Sequence, residues 1–134
     1  MMRLKRKIDN SRADLPAPVM REEEEQDVGI IYMGSMENTI QEIDDMIEQT
    51  GLKVSQCRIR AMPIHPDVES FIERHERVIV LEINRDGQLY GVLSQELPND
   101  FASRIPSVAY SDGMPPRARI YADMILETLG EVKP

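Results

Sequence analysis

A single cysteine, Cys57, is all the thiol chemistry this sequence has, and that scarcity excludes a good deal. One thiol cannot close an internal disulfide, hold an iron–sulfur cluster or complete a thiolate zinc site. A reducing cytoplasm is the compartment that suits it. Cys57 stands among Val54, Ile59 and Met62 in a strand-like stretch, so it reads as a packed, inert thiol rather than a nucleophile. Long hydrophobic runs are missing as well. No apolar stretch approaches the roughly 20 residues that a membrane-spanning helix needs. Arg3, Lys5, Arg6 and Lys7 make the N-terminus basic, but no apolar run follows them, so a secretory signal is not expected. Positive charge is in short supply overall: sixteen Lys and Arg face twenty-four Asp and Glu, for a net charge of -8. That balance speaks against the phosphate neutralisation on which non-specific nucleic-acid binding rests. Neither a nucleic-acid nor a membrane partner is expected.

Catalytic signatures are equally sparse. Neither G-x-G-x-x-G nor G-x-x-x-x-G-K-[ST] occurs. His65 and His75 are ten residues apart, nearly three turns along a helix and too far for shared metal ligation. His65 lies between prolines, and His75 ends a helical stretch, where a cationic side chain suits the dipole. Neither has a serine or cysteine at a catalytic spacing. No catalytic residue and no metal ligand is assigned.

What is present is enough for a core. With 134 residues, 41% hydrophobic and 30% charged, the chain suits one compact domain and not a disordered one. Residues 1–26 read as a short basic helix to Asp14, stopped by Pro16 and Pro18, and then an acidic linker over Glu22 to Glu25. So short a helix is marginal alone and would lean on something outside the domain. Residues 27–134 read as the compact unit. Val28 to Met33 is a continuous apolar run, as in a strand covered on both faces. Gly34-Ser35 turns the chain into a helix from Glu37 to Thr50, with Ile40, Ile43 and Ile47 on one face and Glu42, Asp44, Asp45 and Glu48 largely outside it. Gly51 is placed as its C-terminal cap. Leu52 to Ile59 is a more polar strand, expected near a sheet edge. Pro66 opens a helix to about Glu76. Arg77 to Ile83 is a strand, Gly87 to Leu97 a helix, Ile105 to Tyr110 a short strand, and a last helix follows Pro115-Pro116 and ends at Gly130. The alternation predicts a three-layer α/β/α sandwich with a mostly parallel sheet.

Two turns are candidate sites. Gly34-Ser35 could place an anion on a helix N-terminus, although Glu37 and Glu42 oppose it and a plain tight turn explains it as well. The end of the Arg77 strand carries Glu82, Asn84, Arg85, Asp86, Gly87 and Gln88. In open α/β sheets that strand end meets ligands and neighbouring domains. The plainer reading is a capped turn, with Asn84 or Asp86 capping the helix and Gly87 allowing close packing. Glu82 follows four apolar residues, so it is expected to be partly buried and to need a partner, such as Arg85 or a basic group of another domain.

These residues bring a resemblance with them. "FIERHERVIVLEINRDGQL" resembles the C-terminal part of the α subunit of 2-oxoacid:ferredoxin oxidoreductases, especially the 2-oxoglutarate type: helix, Arg-Val, apolar strand, then Glu-x-Asn-x-x-Gly-Gln-Leu. "LKRKIDNSRADLPAP" is similar to the linker helix of those subunits. "VGIIYMGSMENTIQEI" is similar to the opening strand, Gly-Ser turn and helix of their transketolase C-terminal-like domain. The resemblance implies an enzyme complex that oxidatively decarboxylates a 2-oxoacid onto coenzyme A. Thiamine diphosphate, Mg2+ and iron–sulfur clusters would serve it, and ferredoxin would take the electrons. The chain lacks a Gly-Asp-Gly diphosphate motif and a cysteine cluster, so it would bind none of these cofactors alone and would be inactive in isolation. It would supply assembly to the other subunits, as a domain fragment or a separately encoded half of a split subunit. Glu82, Asn84, Gly87 and Gln88 match the family pattern and carry over only as interface or packing residues. The alternative is a stand-alone α/β module that binds a small anionic ligand through the two turns.

Overall fold

The computed structural model describes residues 14–22, 28–84, 86–102 and 104–130. The expected basic helix, most of the acidic linker and Arg85 lie outside them. The elements in chain order are β1 (Val19–Arg21), β2 (Val28–Tyr32), a 3-10 turn (Gly34–Asn38), α1 (Ile40–Glu48), β3 (Val54–Arg58) and α2 (Pro66–Arg74). Then come β4 (Arg77–Glu82), α3 (Gln88–Glu96), the short α4 (Asn99–Ala102), β5 (Ser107–Ala109) and α5 (Ala118–Thr128). The five strands form one sheet in the order β1-β3-β2-β4-β5, parallel except for β1.

Side-chain alternation along the strands builds the three layers. Val28, Ile30 and Tyr32 of β2 and Ile79 and Leu81 of β4 point to one face, where they meet Ile40, Ile43 and Ile47 of α1 and Tyr121, Ala122 and Ile125 of α5. Ile31 of β2 and Val78 and Val80 of β4 point to the other, against Phe71 and Ile72 of α2 and Leu89 and Leu93 of α3. β2 and the 78–81 stretch of β4 are apolar because helices cover both faces. Burying each of these aliphatic side chains is worth about 1.5–3 kcal/mol. Gly29 in β2 is where α2 comes closest. A Cβ there would stand 2.7 Å from Phe71 Cε1 and 3.1 Å from His75 Cγ, so this position takes no side chain.

The structure departs from the sequence reading at four places. β1 pairs antiparallel with β3 through Met20 and Cys57, so the sheet begins at Val19, ahead of the boundary near Asp27; β3, next to this edge strand, does lie near the sheet edge. The first helix is split: Gly34–Asn38 winds as a 3-10 turn that buries Met36, and the α-helix starts at Ile40. Asp44, placed outside the apolar face, is buried at 3% exposure. It lies four residues after Ile40 and three before Ile47, and that spacing fixes it on the inner face whatever its chemistry. His75 is buried too, and its Nδ1–H donates to the Phe71 carbonyl at 2.7 Å. Its Nε2 has no hydrogen-bond partner among the described residues. Gly51 stands at φ 95° behind α1, in the conformation a helix-ending glycine supplies. Cys57 is fully enclosed, and burial pushes its thiol up to about 12, as an inert core residue requires.

Candidate functional site

β2 and β4 are neighbours whose onward connections leave to opposite faces, α1 on one side and α3 on the other. Such a switch opens a crevice beyond the carboxyl ends of the two strands. Here it has a volume of about 360 Å³, and it draws together both turns singled out in the sequence. Gly34 and Met33 form one wall; Leu81, Glu82, Ile83 and Asn84 form the floor and the other wall, with Gln88, Leu89 and Val92 of α3 above them. Met62, beside the cis Met62–Pro63 bond, closes a corner. Met33 and Met62 stay exposed at 38% and 37%. The Ser35 side chain lies outside what is described, and Asp86 is exposed.

The polar half of the site is a complete helix cap. Glu82, 5% exposed, reaches the start of α3 and accepts from the backbone N–H of Tyr90 at 3.0 Å and from that of Leu89. Asn84 Oδ1 accepts from the N–H of Asp86 at 3.1 Å and of Gln88 at 3.3 Å, while its Nδ2 donates to Glu82 Oε1 at 2.9 Å. Gly91 N–H bonds back to the Gly87 carbonyl at 2.9 Å. The opening donors of α3 are therefore satisfied, and a carboxylate sits where the helix dipole favours negative charge. Gly87 makes this possible by taking the left-handed conformation at φ 62°, which a residue with a Cβ rarely adopts. Among the described residues, Glu82 thus finds its partners in two backbone N–H groups and the Asn84 amide of its own chain; Arg85, one of the partners expected for it, lies outside them. With those donors taken, α3 has no vacant N-terminus for an anionic ligand. At the opposite wall, Tyr32 donates to Glu37 Oε2 at 2.5 Å and Arg58 Nε lies 3.8 Å from the same oxygen, which pins the Gly34 turn with an acid pointing nearby.

Sequence reasoning found the polar rim and missed the apolar walls. Met33, Met62, Ile83 and Val92 are far apart along the chain, and strand order rather than any local signal brings them together. It also missed a second polar cavity of about 320 Å³, between β1, β3 and α1, lined by Arg21, Glu22, Gln41, Asp44, Glu48, Val54 and Gln56. Among the described residues no group of three or more His, Cys, Asp or Glu could hold a metal ion, and no helix is long and apolar enough to cross a membrane.

No family model matches the chain, and no curated protein does. Solved structures do. A 2-oxoglutarate:ferredoxin oxidoreductase from Magnetococcus marinus, with 2-oxoglutarate, coenzyme A and succinyl-CoA bound, superposes with a TM-score of 0.70 and 28% identity over 88% of this chain. A split-gene transketolase, an inactive β4 tetramer, matches with a TM-score of 0.60 and 20% identity over 86% of this chain, and so bears on the fold alone. The chain spans 21% of the first protein's chain and 42% of the second's. The fold is that of a transketolase C-terminal-like domain, and it is similar to the domain found in the oxidoreductase.

Proposed function

We propose that this chain is the transketolase C-terminal-like domain of the α subunit of a 2-oxoacid:ferredoxin oxidoreductase of the 2-oxoglutarate type. In such an enzyme a 2-oxoacid loses carbon dioxide, its acyl group passes to coenzyme A, and the released electron pair goes to ferredoxin. The observation that carries the reading is the 28% identity over 88% of the chain to the Magnetococcus marinus enzyme; the Glu82-x-Asn84-x-x-Gly87-Gln88-Leu89 sequence, on which the family resemblance rests, supports it. The residues here do not fit the enzyme's cofactors. The one thiol is sealed in the core, so it is no cluster ligand. No diphosphate motif is present. The role of this domain is assembly within a cytoplasmic complex, with the catalytic groups on other domains or subunits.

The crevice is the surface proposed to meet them. Its exposed Met33 and Met62 offer adaptable apolar contact, and Asn84 and Gln88 offer a polar rim. A decisive experiment co-expresses the chain with the remaining subunits and follows 2-oxoglutarate-dependent viologen reduction in the presence of coenzyme A. Activity should require this chain, and the chain alone should show none. Turnover by the isolated chain, or full activity of the other subunits without it, would end the proposal.

A further inference from the structure

The polar cavity between β1, β3 and α1 belongs to no part of the function proposed above. Its wall holds Asp44, 97% buried by its 3% exposure, whose Oδ1 meets no hydrogen-bond donor among the described residues. An enclosed carboxyl oxygen without a donor is costly. Here the cavity stands beside it, so the missing donor has a place to enter. The lining fixes what kind of donor fits. Asp44 and Glu48 of α1 and Glu22, just past β1, bring three carboxyls, against one cation, Arg21 of β1. Glu22 is engaged outward with Arg74 at 2.6 Å, and the Arg21 guanidinium donates to Gln41. Gln56, 4% exposed and paired with Arg21 across the sheet register, supplies an amide to the floor. Among the described residues two carboxyls thus remain to be matched, in a space large enough for a short alkyl chain.

We propose that this cavity binds an organic cation carrying N–H donors, a primary ammonium or a guanidinium, with Asp44 Oδ1 as the principal acceptor and Glu48 and Gln56 as flanking groups. A metal ion is the poorer occupant, because no ligand set is grouped among the described residues. The cation can arrive as a free small amine or as a lysine or arginine side chain of another chain, and both offer the same chemistry.

Burial and the neighbouring Glu48 raise the Asp44 carboxyl to about 8, opposed by Arg21 and reinforced by Asp45. Tyr32 of β2 also feels Asp44. A carboxyl with that value passes from about one-tenth to about nine-tenths ionised between pH 7 and 9, while a primary amine stays largely protonated. Cation binding should therefore tighten about tenfold over that interval and release protons at pH 7.

The test titrates the full chain with n-butylammonium and, separately, with N-acetyl-lysine methylamide, following backbone amide resonances. Saturable shifts at Arg21, Asp44 and Gln56 are expected. Asp44→Asn should weaken binding tenfold or more, Glu48→Gln severalfold, and Arg21→Gln should tighten it by removing the competing cation. Asp123→Asn, on the exposed face of α5, should change nothing. If the lysine amide binds more tightly, the occupant is a side chain; if butylammonium binds as well or better, it is a free amine. The proposal is overturned if neither probe gives saturable shifts at the cavity, or if binding is indifferent to Asp44→Asn. Should that variant fail to fold, binding unmoved by both Glu48→Gln and Arg21→Gln overturns it equally.

Discussion

Glu82 and Asp44 are both carboxyls enclosed to within a few per cent, on opposite faces of one sheet, and they live in opposite circumstances. Glu82 emerges from the end of β4 directly at the start of a helix and meets two backbone N–H groups and the Asn84 amide. Asp44 emerges from the middle of α1, whose own amides are engaged in the helix, and its Oδ1 meets no donor among the described residues. Depth of burial is nearly the same. What differs is whether the backbone delivers donors to the place where the side chain is forced to sit. A strand end facing a helix start does so by construction, and a helix interior does not. Glu82 therefore binds its turn together, whereas Asp44 leaves a site open.

The largest effect expected from this contrast is on the satisfied side. Glu82→Ala strips the acceptor from the Leu89 and Tyr90 N–H groups, and unfolding in urea should register a loss of about 2–4 kcal/mol. If instead the isolated domain melts unchanged while assembly with partner subunits fails, the carboxyl acts across an interface and the capping account breaks.

Asp44 should show its difference through pH. Its folded-state carboxyl lies near 8, against 3.8 for the ordinary group. Between those values the folded chain holds a proton that the unfolded chain has lost. Stability should thus fall as pH rises through that window, with the penalty complete above pH 8. Asp44→Asn should flatten the decline and melt above the unaltered chain at pH 9. Parallel melting profiles from pH 5 to 9 would show that Asp44 does not carry that proton.

How much of this was legible beforehand follows from where the information lies. β2 and the 78–81 stretch of β4 announced themselves because a strand covered on both faces has an apolar run at its centre, and the cap could be read as a cluster because all its members fall between Glu82 and Gly91. β1 could not be seen: Val19-Met20-Arg21 has no period of its own and exists as a strand through pairing with β3, more than thirty residues on. Asp44 was misplaced because residue type outweighed position, although Ile40, Ile43 and Ile47 define a face that includes it. The crevice was half legible, since its polar rim is local in sequence and its apolar walls are assembled only by strand order.

Smaller effects separate the two regions further. Glu82 and Asn84 share a hydrogen bond, so their alanine substitutions should be non-additive by 0.5 kcal/mol or more, roughly the threshold for coupled neighbours. Glu82 and Asp44 share no partner, and a double-mutant cycle between them should close to within about 0.5 kcal/mol. Coupling between that second pair would mean the two sites communicate through the sheet. The smallest signal is Cys57. It lies in the core on the α2 side of β3, so a thiol reagent should fail to label it until urea unfolds the chain. Prompt labelling under native conditions would show that β1 opens from the edge.

That edge sets how the sheet can grow. β1 is three residues long, is preceded by Pro16 and Pro18, and ends in a charged arginine. A prolyl nitrogen has no hydrogen to donate, and so short a strand presents few free amide groups for another strand to pair with. Addition of a further strand on this side is disfavoured, and stacking of sheets edge to edge, the first step towards fibres, is blunted with it. A three-residue clasp on a four-stranded parallel sheet therefore works against runaway self-association.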